Sequence, residues 1–440
     1  MNAYELTTPG DKVRDLQHSL YRAAKASTTR RFHGLYDKMS RTDILAKAWQ
    51  EVRSNGGKPG IDGRSISEIE RSGVEPFLAE LAGELRDGTY RAHAVRRVYI
   101  PKSDGKQRGL GIPTVRDRVV QAAAKVVLEP IFEADFRTSS YGYRPGRNAH
   151  DACEALRLAV NGGGNWVMDA DIEAYFDRID HTVLKQLVAK RVNDRRMLEL
   201  LKQWLRAGVV EGGRWSPTET GVPQGGVISP LLANIVLHEL DTYWEEECRQ
   251  LGQLIRYADD FVIVSRTEEA AREAHQRVDA FLTGLGLTLH PEKTWVVDLS
   301  DGTNGIDFLG FHHRKVESRK YRGKWYLQKW PGCQALRSVR ERINGIVRGR
   351  QRLGEPIQVI VTEINRVVRG WGAYFRVGNS SRQFRQVDQY VHERLGLFAS
   401  AKAGRSGRGW ERHRANLAGF GVYRLSGTVV RYKATPTAGR

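Results

Sequence analysis

Apolar residues recur along this chain with two periods, and the switches between them outline its elements. Leu16, Leu20 and Ala23–Ala24 fall at helical spacing, which predicts a helix within a basic leader over residues 1–34. From 35 to 315 strand-like and helix-like runs alternate, the layout of an α+β body. Residues 316–400 read as mainly helical after a short β excursion near KYRGKWYLQKW, where YRGKWY forms a hairpin. RGRQRLGEPIQ, 348–358, is a Gly- and Pro-bearing loop between helices, and 401–440 make a basic tail. Asn161 and Asn165 bracket three glycines, a loop ahead of the next strand.

Chemistry enters where two strand-like runs meet. LIRYADDFVIVS sets Asp259 and Asp260 between apolar, β-branched flanks, so it reads strand, tight turn, strand. Both carboxylates then sit at a hairpin tip, where burying them is costly. Adjacent acids on a rigid hairpin suit Mg²⁺, which takes carboxylate oxygens and shares its shell with substrate phosphates. A lone Asp-Asp is most often a solvated turn; three further segments change that balance.

WVMDADIEAYFDRIDH, 166–181, reads as a buried strand ending on a carboxylate and turning into a helix. A two-metal centre needs acids from separate segments around ions roughly 4 Å apart. Asp171, 88 positions before Asp259, is the natural third member. Asp169 shares its strand parity, and Glu173, Asp177 and Asp180 are near, so spacing leaves these rivals open. GVPQGGVISPLLANIVL, 221–237, is a stiff-then-loose turn before an apolar helix. In RRVYIPKSDGKQRGLGIPTVRDRVVQ, 96–121, Lys102 and Arg108 flank a Ser-Asp-Gly turn, which offers either a solvated basic turn or two cations set for a triphosphate.

In their order, these motifs resemble the reverse transcriptases encoded by group II introns, over roughly residues 35 to 400. LYDKMSRTDILAKAWQEVRSNGGKPGIDG resembles the N-terminal block of non-retroviral enzymes, and SSYGYRPGRNAHDAC, VPQGGVISPLLANI, YADD, LGLTLHPEKT and IDFLGF follow in family order. INRVVRGWGAYFRVGNSSRQF resembles the maturase-specific thumb. The resemblance implies a right-hand polymerase, fingers and palm over 35–315 with an RRM-like antiparallel palm sheet, then a helical thumb over 316–400. It implies that Asp171, Asp259 and Asp260 bind two Mg²⁺ (Mn²⁺ as a substitute), with the Ile172 carbonyl as a further ligand. Lys102 and Arg108 would grip the incoming deoxynucleoside triphosphate, the backbone of Ala174, Tyr175 and Phe176 would cradle its phosphates, and Gln224 would lie along its sugar. Phe176, five residues after Asp171, takes the place of the gate against a ribose 2′-hydroxyl; Lys293 is a looser nucleotide contact. Leu309, Gly310 and Phe311 would seat the primer end. Glu173 departs from the family, which usually has a basic or neutral residue there.

Charge adds a second theme. Net charge is +19, and from residue 311 onward 28 Lys/Arg face 7 Asp/Glu, a net of +21, against −2 for the first 310 residues. A basic third on a near-neutral body is the footprint of a nucleic-acid appendage. Trp371, Tyr374 and Phe375 have the spacing of core positions beside Val367 and Val368, so Arg366, Arg369, Arg382 and Arg385 are the better candidates for the nucleic-acid backbone. GRSGRGWERHR, after Ala403, reads as a short DNA-binding element or a tail that orders on RNA.

Three scattered cysteines suggest neither a disulfide framework nor zinc, and none follows Cys333. Many family members carry a cysteine-bearing C-terminal endonuclease; none is expected here, as in the compact class C group. With no long apolar run or signal core, a soluble bacterial cytoplasmic protein at the nucleoid is expected. The implied partners are group II intron RNA, an RNA template with a DNA primer, and target DNA, with no membrane. The alternatives are a non-catalytic RNA-binding maturase, or a CRISPR-associated or defence reverse transcriptase.

Overall fold

The helical spacing near the N-terminus becomes the helix Lys12–Ala26, capped by Asp11, whose carboxylate accepts from the amides of Val13 and Arg14. This computed structural model describes residues 11–101, 107–404 and 417–430. The buried face of the first helix, Val13, Leu20, Tyr21 and Ala24, packs on the helices Thr42–Asn55 and Val115–Glu133. Val115–Glu133 is enclosed nearly all round, as a helix with little amphipathic bias must be. Two side chains fasten the first helix further: Gln17 donates to the Val126 carbonyl and Lys25 to that of Ala134.

The chain forms two compact units. One runs to Ala152 and again from Met168 to Val296; the other takes Cys153–Val167 and the described residues from Val297 onward.

In the first unit, β1 (Val95–Pro101), β2 (Gln107–Ile112), β4 (Val209–Glu211) and β5 (Arg214–Ser216) make a sheet in the order β2-β1-β4-β5. β3 (Trp166–Asp171), β6 (Gln253–Tyr257), β7 (Asp260–Ser265) and β8 (Trp295–Asp298) make a further sheet in the order β6-β7-β3-β8, of which β6, β7, Met168–Asp171 and Trp295–Val296 belong to this unit. β1 and β2 are antiparallel with Ile100 opposite Arg108. β6 and β7 form the expected acidic hairpin, and β7 neighbours β3, so the two acid-bearing segments lie side by side. One core runs through this unit from Val13 to Leu289.

The second unit holds β9 (Gly305–Phe308), β10 (Phe311–Glu317) and β11 (Trp325–Pro331) in the order β11-β10-β9, then helices Cys333–Val347, Ile357–Phe375 and Ser381–Lys402. The sequence-based break at 315/316 falls inside β10. That strand hides in the sequence because its buried positions alternate as Phe311, His313 and Lys315, two of them polar. Lys315 is satisfied by the side-chain carbonyl of Asn165. The hairpin expected at YRGKWY exists with its turn over 318–324, pairing β10 with β11. Residues 417–430 of the basic tail pack on the helices: Asp388 accepts from the amides of Leu425 and Ser426, and Leu425 is fully buried. The glycine- and arginine-rich stretch 405–414 lies outside the described residues.

Candidate active site

The β6–β7 hairpin turns through Ala258 and Asp259, with Tyr257 opposite Asp260. Ala258 has φ 60°, a left-handed conformation that an alanine adopts only when its surroundings enforce it. Arg256 does the enforcing. Its guanidinium is fully buried and uses all five N–H groups: two on Asp241, at 2.8 and 2.5 Å, and one each on Asn234 Oδ1, Ser140 Oγ and the Ala258 carbonyl, the last at 2.9 Å. Asn234 in turn donates to the Gly142 carbonyl. Gly142 lies so close that a Cβ there would stand 2.4 Å from the Ala258 nitrogen. Motif reading passed over Arg256, Asp241, Asn234, Ser140 and Gly142. The available signal was an arginine within the apolar run LIRYADD, which must find a buried partner.

The acids are less solvated than a hairpin tip suggests, and Asp259 and Asp260 are only partly exposed. Burial pushes the Asp259 carboxyl up from its ordinary value; Asp171 adds to this, while the Arg108 charge opposes it. Asp260 is pushed well above the ordinary range, by burial first and then by Asp169, Asp171 and Asp259, with Lys293 opposing. The cluster therefore draws acids from both segments, and Asp169 belongs to its field along with Asp171. Two of the other rivals have separate work: Asp180 caps the helix His181–Ala189, and Glu173 pairs with Arg178 at 2.6 Å. Asp177 accepts from Gln224 at 3.3 Å.

Asp171 meets the ammonium of Lys293 at 2.6 Å. Among the described residues no group of three or more His, Cys, Asp or Glu side chains is placed to hold a metal ion as it stands. The donor chemistry nonetheless fits a hard divalent cation: these are carboxylates whose mutual repulsion a cation would relieve, and Asp171 already carries a positive partner. The backbone agrees. The Asp171 carbonyl accepts from His290 and the Glu173 amide donates to Thr288. Ile172, opposite Leu289, is thus the non-hydrogen-bonded member of this antiparallel bridge, and its carbonyl faces away from 288–290.

Beyond Asp171 the chain turns through Ala174, at φ 48°, into the short helix Tyr175–Arg178. The Tyr175 side chain is buried and donates to the Ala233 carbonyl, leaving only its backbone for a ligand. Phe176 is half-buried against the Tyr175 ring, and its carbonyl accepts from Val222. Gln224 is tied to β2 through its own carbonyl, which accepts from Gly111 at 2.7 Å. Arg108 is exposed on β2; Lys102 lies outside the described residues.

A family model for reverse transcriptase (RNA-dependent DNA polymerase) matches residues 100–313, and one for the group II intron maturase-specific domain matches 336–416. Protein YkfC of Escherichia coli is 35% identical over 351 residues, 71% of this chain and 90% of that protein. The chain belongs to the group II intron reverse transcriptase and maturase family. It is an RNA-directed DNA polymerase of the right-hand fold, and nucleic acid is its substrate. Group II intron-encoded protein LtrA of Lactococcus lactis subsp. cremoris is 39% identical over 214 residues, 48% of this chain and 35% of LtrA. An uncharacterized 91 kDa protein in the cob intron of Schizosaccharomyces pombe is 27% identical over 426 residues, 79% of this chain and 51% of that protein. The reverse transcriptase thus spans about a third to a half of these two relatives.

In the second unit of the reverse transcriptase, Leu309 and Gly310 form the turn between β9 and β10, both with positive φ. The Leu309 carbonyl accepts from the Tyr374 hydroxyl at 2.9 Å. The expectation for Phe311 needs correction: its side chain is fully buried against Phe375 and Tyr374, so it supports the turn from below and only Leu309 and Gly310 are open to a ligand. Trp371 and Phe375 are packing residues, as their spacing predicts, and Arg366, Arg369, Arg382 and Arg385 are exposed. No described helix is long and apolar enough to cross a membrane.

Proposed function

We propose that the acid cluster performs two-metal nucleotidyl transfer, extending a DNA primer on an RNA template. The carrying observation is the shared field of Asp171, Asp259 and Asp260, drawn from neighbouring strands. Asp171, Asp259, Asp260 and the Ile172 carbonyl would hold divalent cations, Mg²⁺ or Mn²⁺, which supply charge to activate the primer 3′-hydroxyl and steady the leaving pyrophosphate. Arg108 and Lys102 bind the triphosphate, the backbone from Ala174 to Phe176 orients it, and Phe176 bars a ribose 2′-hydroxyl. Gln224, held by Asp177 and β2, lines the sugar. Lys293 leaves Asp171 to meet the incoming phosphates. Catalysis is then positioning and charge stabilisation, with no covalent enzyme intermediate.

Leu309 and Gly310 seat the primer end, and the exposed arginines of the helical thumb bind RNA backbone. With the basic last third, this reading extends to the parent intron RNA, its splicing and its return to target DNA in a bacterial nucleoid. The test is Mg²⁺-dependent primer extension with Asp259→Asn as control. Extension lost only in the variant, with RNA binding retained, is expected. A folded, RNA-binding wild type that never extends a primer moves the function to splicing assistance alone.

A further inference from the structure

In the second unit, helix Cys333–Val347 packs on helix Ser381–Lys402 and leaves a groove of about 470 Å³ between them. Arg337, Arg340 and Asn344 project from one face of the first helix, and Gln386 and Tyr390 from one face of the second. Glu341 is the groove's only acid among the described residues. None of these residues has a part in the nucleotidyl transfer proposed above.

The guanidinium carbons of Arg340 and Arg394 lie 5.7 and 5.0 Å from the centre of the Tyr390 ring. One ring thus gathers two like charges, an arrangement that favours an anion nearby. The Nε of each guanidinium is buried and has no hydrogen-bond partner among the described residues. The wall therefore combines flat cationic and aromatic surfaces with two side-chain amides. Each amide both donates and accepts, as the edge of a base does. Phosphate alone would ask only for the cations, and an acidic peptide would gain little from the stack. A paired helix keeps its base faces stacked inside, whereas an unpaired base is free to lie on an aromatic ring or a guanidinium plane. The volume is that of a small-ligand site.

We propose that this groove takes a single unpaired nucleotide of a bound RNA. Its base continues the stack of Tyr390 and the guanidiniums, Asn344 and Gln386 meet its edge, and Arg337 with Arg340 holds the adjoining phosphate. The proposal rests on the reading that this chain binds RNA, and it adds which feature of the RNA this unit recognises.

Cys333 supplies a probe. It stands on the groove wall and is exposed, while Cys153 and Cys248 are buried. In the full chain, an RNA hairpin carrying an unpaired bulge should slow maleimide alkylation of Cys333 about fivefold or more, and a fully paired hairpin of equal length should not. Tyr390→Ala should weaken binding of the bulged RNA about tenfold, within the range for loss of one stacked base. It should change binding of the paired RNA and primer extension less than twofold, and Tyr390→Phe should behave as wild type. Equal protection by both RNAs, no protection by either, or equal losses on both overturns the proposal. Wild type that binds neither RNA defeats the broader RNA reading instead, and primer extension is scored separately from both.

Discussion

Arg256→Met removes the guanidinium under the catalytic hairpin and strands the Asp241 carboxylate, which is 0% exposed. Taking one partner from a buried ion pair costs about 3–5 kcal/mol, because the remaining charge has neither water nor counter-charge. That is a large share of a domain stability of about 5–15 kcal/mol. Removing the stranded charge as well, in Arg256→Met with Asp241→Leu, should return much of the loss, since replacing a buried pair by apolar groups is often nearly neutral. Activity should not return with stability. In both variants the Ala258 carbonyl has lost its donor at 2.9 Å, and with it the constraint that aims Asp259 and Asp260. Misplacement of about 1 Å can cost ~10²-fold in rate. Hydrogen exchange of the β6 and β7 amides under increasing urea reports stability of this unit separately from the other, and primer extension reports the chemistry. A double variant no more stable than the single one refutes the buried-charge reasoning. A stable double variant with wild-type extension refutes the positioning role of Arg256.

Two further outcomes follow from charge. Because the Asp260 carboxyl is raised, the native chain keeps a proton above the ordinary value of 3.8 where the unfolded chain has released it. Stability contributed by that difference therefore falls as pH rises from about 3.8 through the raised value, and stays lower beyond it. Asp260→Asn should flatten this dependence, raise the urea midpoint at pH 7 without divalent cations and abolish extension; an unchanged pH profile argues against the buried-charge assignment. Replacing Arg366, Arg369, Arg382 and Arg385 together with Gln should make the log–log salt dependence of single-stranded RNA binding shallower by about 3, at ~0.7 per phosphate contact. An unchanged slope removes them from the RNA interface.

The acidic hairpin and its neighbour strand were legible because apolar, β-branched runs broken by adjacent carboxylates admit few other structures. Their surroundings were not. Asp259 and Asp260 look exposed when judged from turn chemistry alone, yet segments 139–142 and 234–241 close around Arg256 from distant parts of the chain. The buried His313 and Lys315 deny β10 an apolar alternation, and only tertiary packing shows that these polar residues face inward. Asp169 and Asp171 share a strand face, and their parity gives no means of choosing between them. The burial of the Phe311 side chain beneath its turn was not legible either, because a short motif records identity and not the direction of a side chain.

The fastening of the first helix also bears on how the chain is made. Gln17 and Lys25 find their acceptors 109 residues later, on Val126 and Ala134. At roughly 5–20 residues per second of synthesis, that separation is about 5–20 s during which the face of Val13, Leu20 and Tyr21 lacks helix Val115–Glu133 and has only helix Thr42–Asn55 to pack on. Helix Lys12–Ala26 is therefore made with its apolar stripe only partly covered and waits for a segment still being translated. Slowing elongation before residue 134 lengthens that wait, so the yield of folded protein should depend on codon choice there and on a chaperone at the exit tunnel.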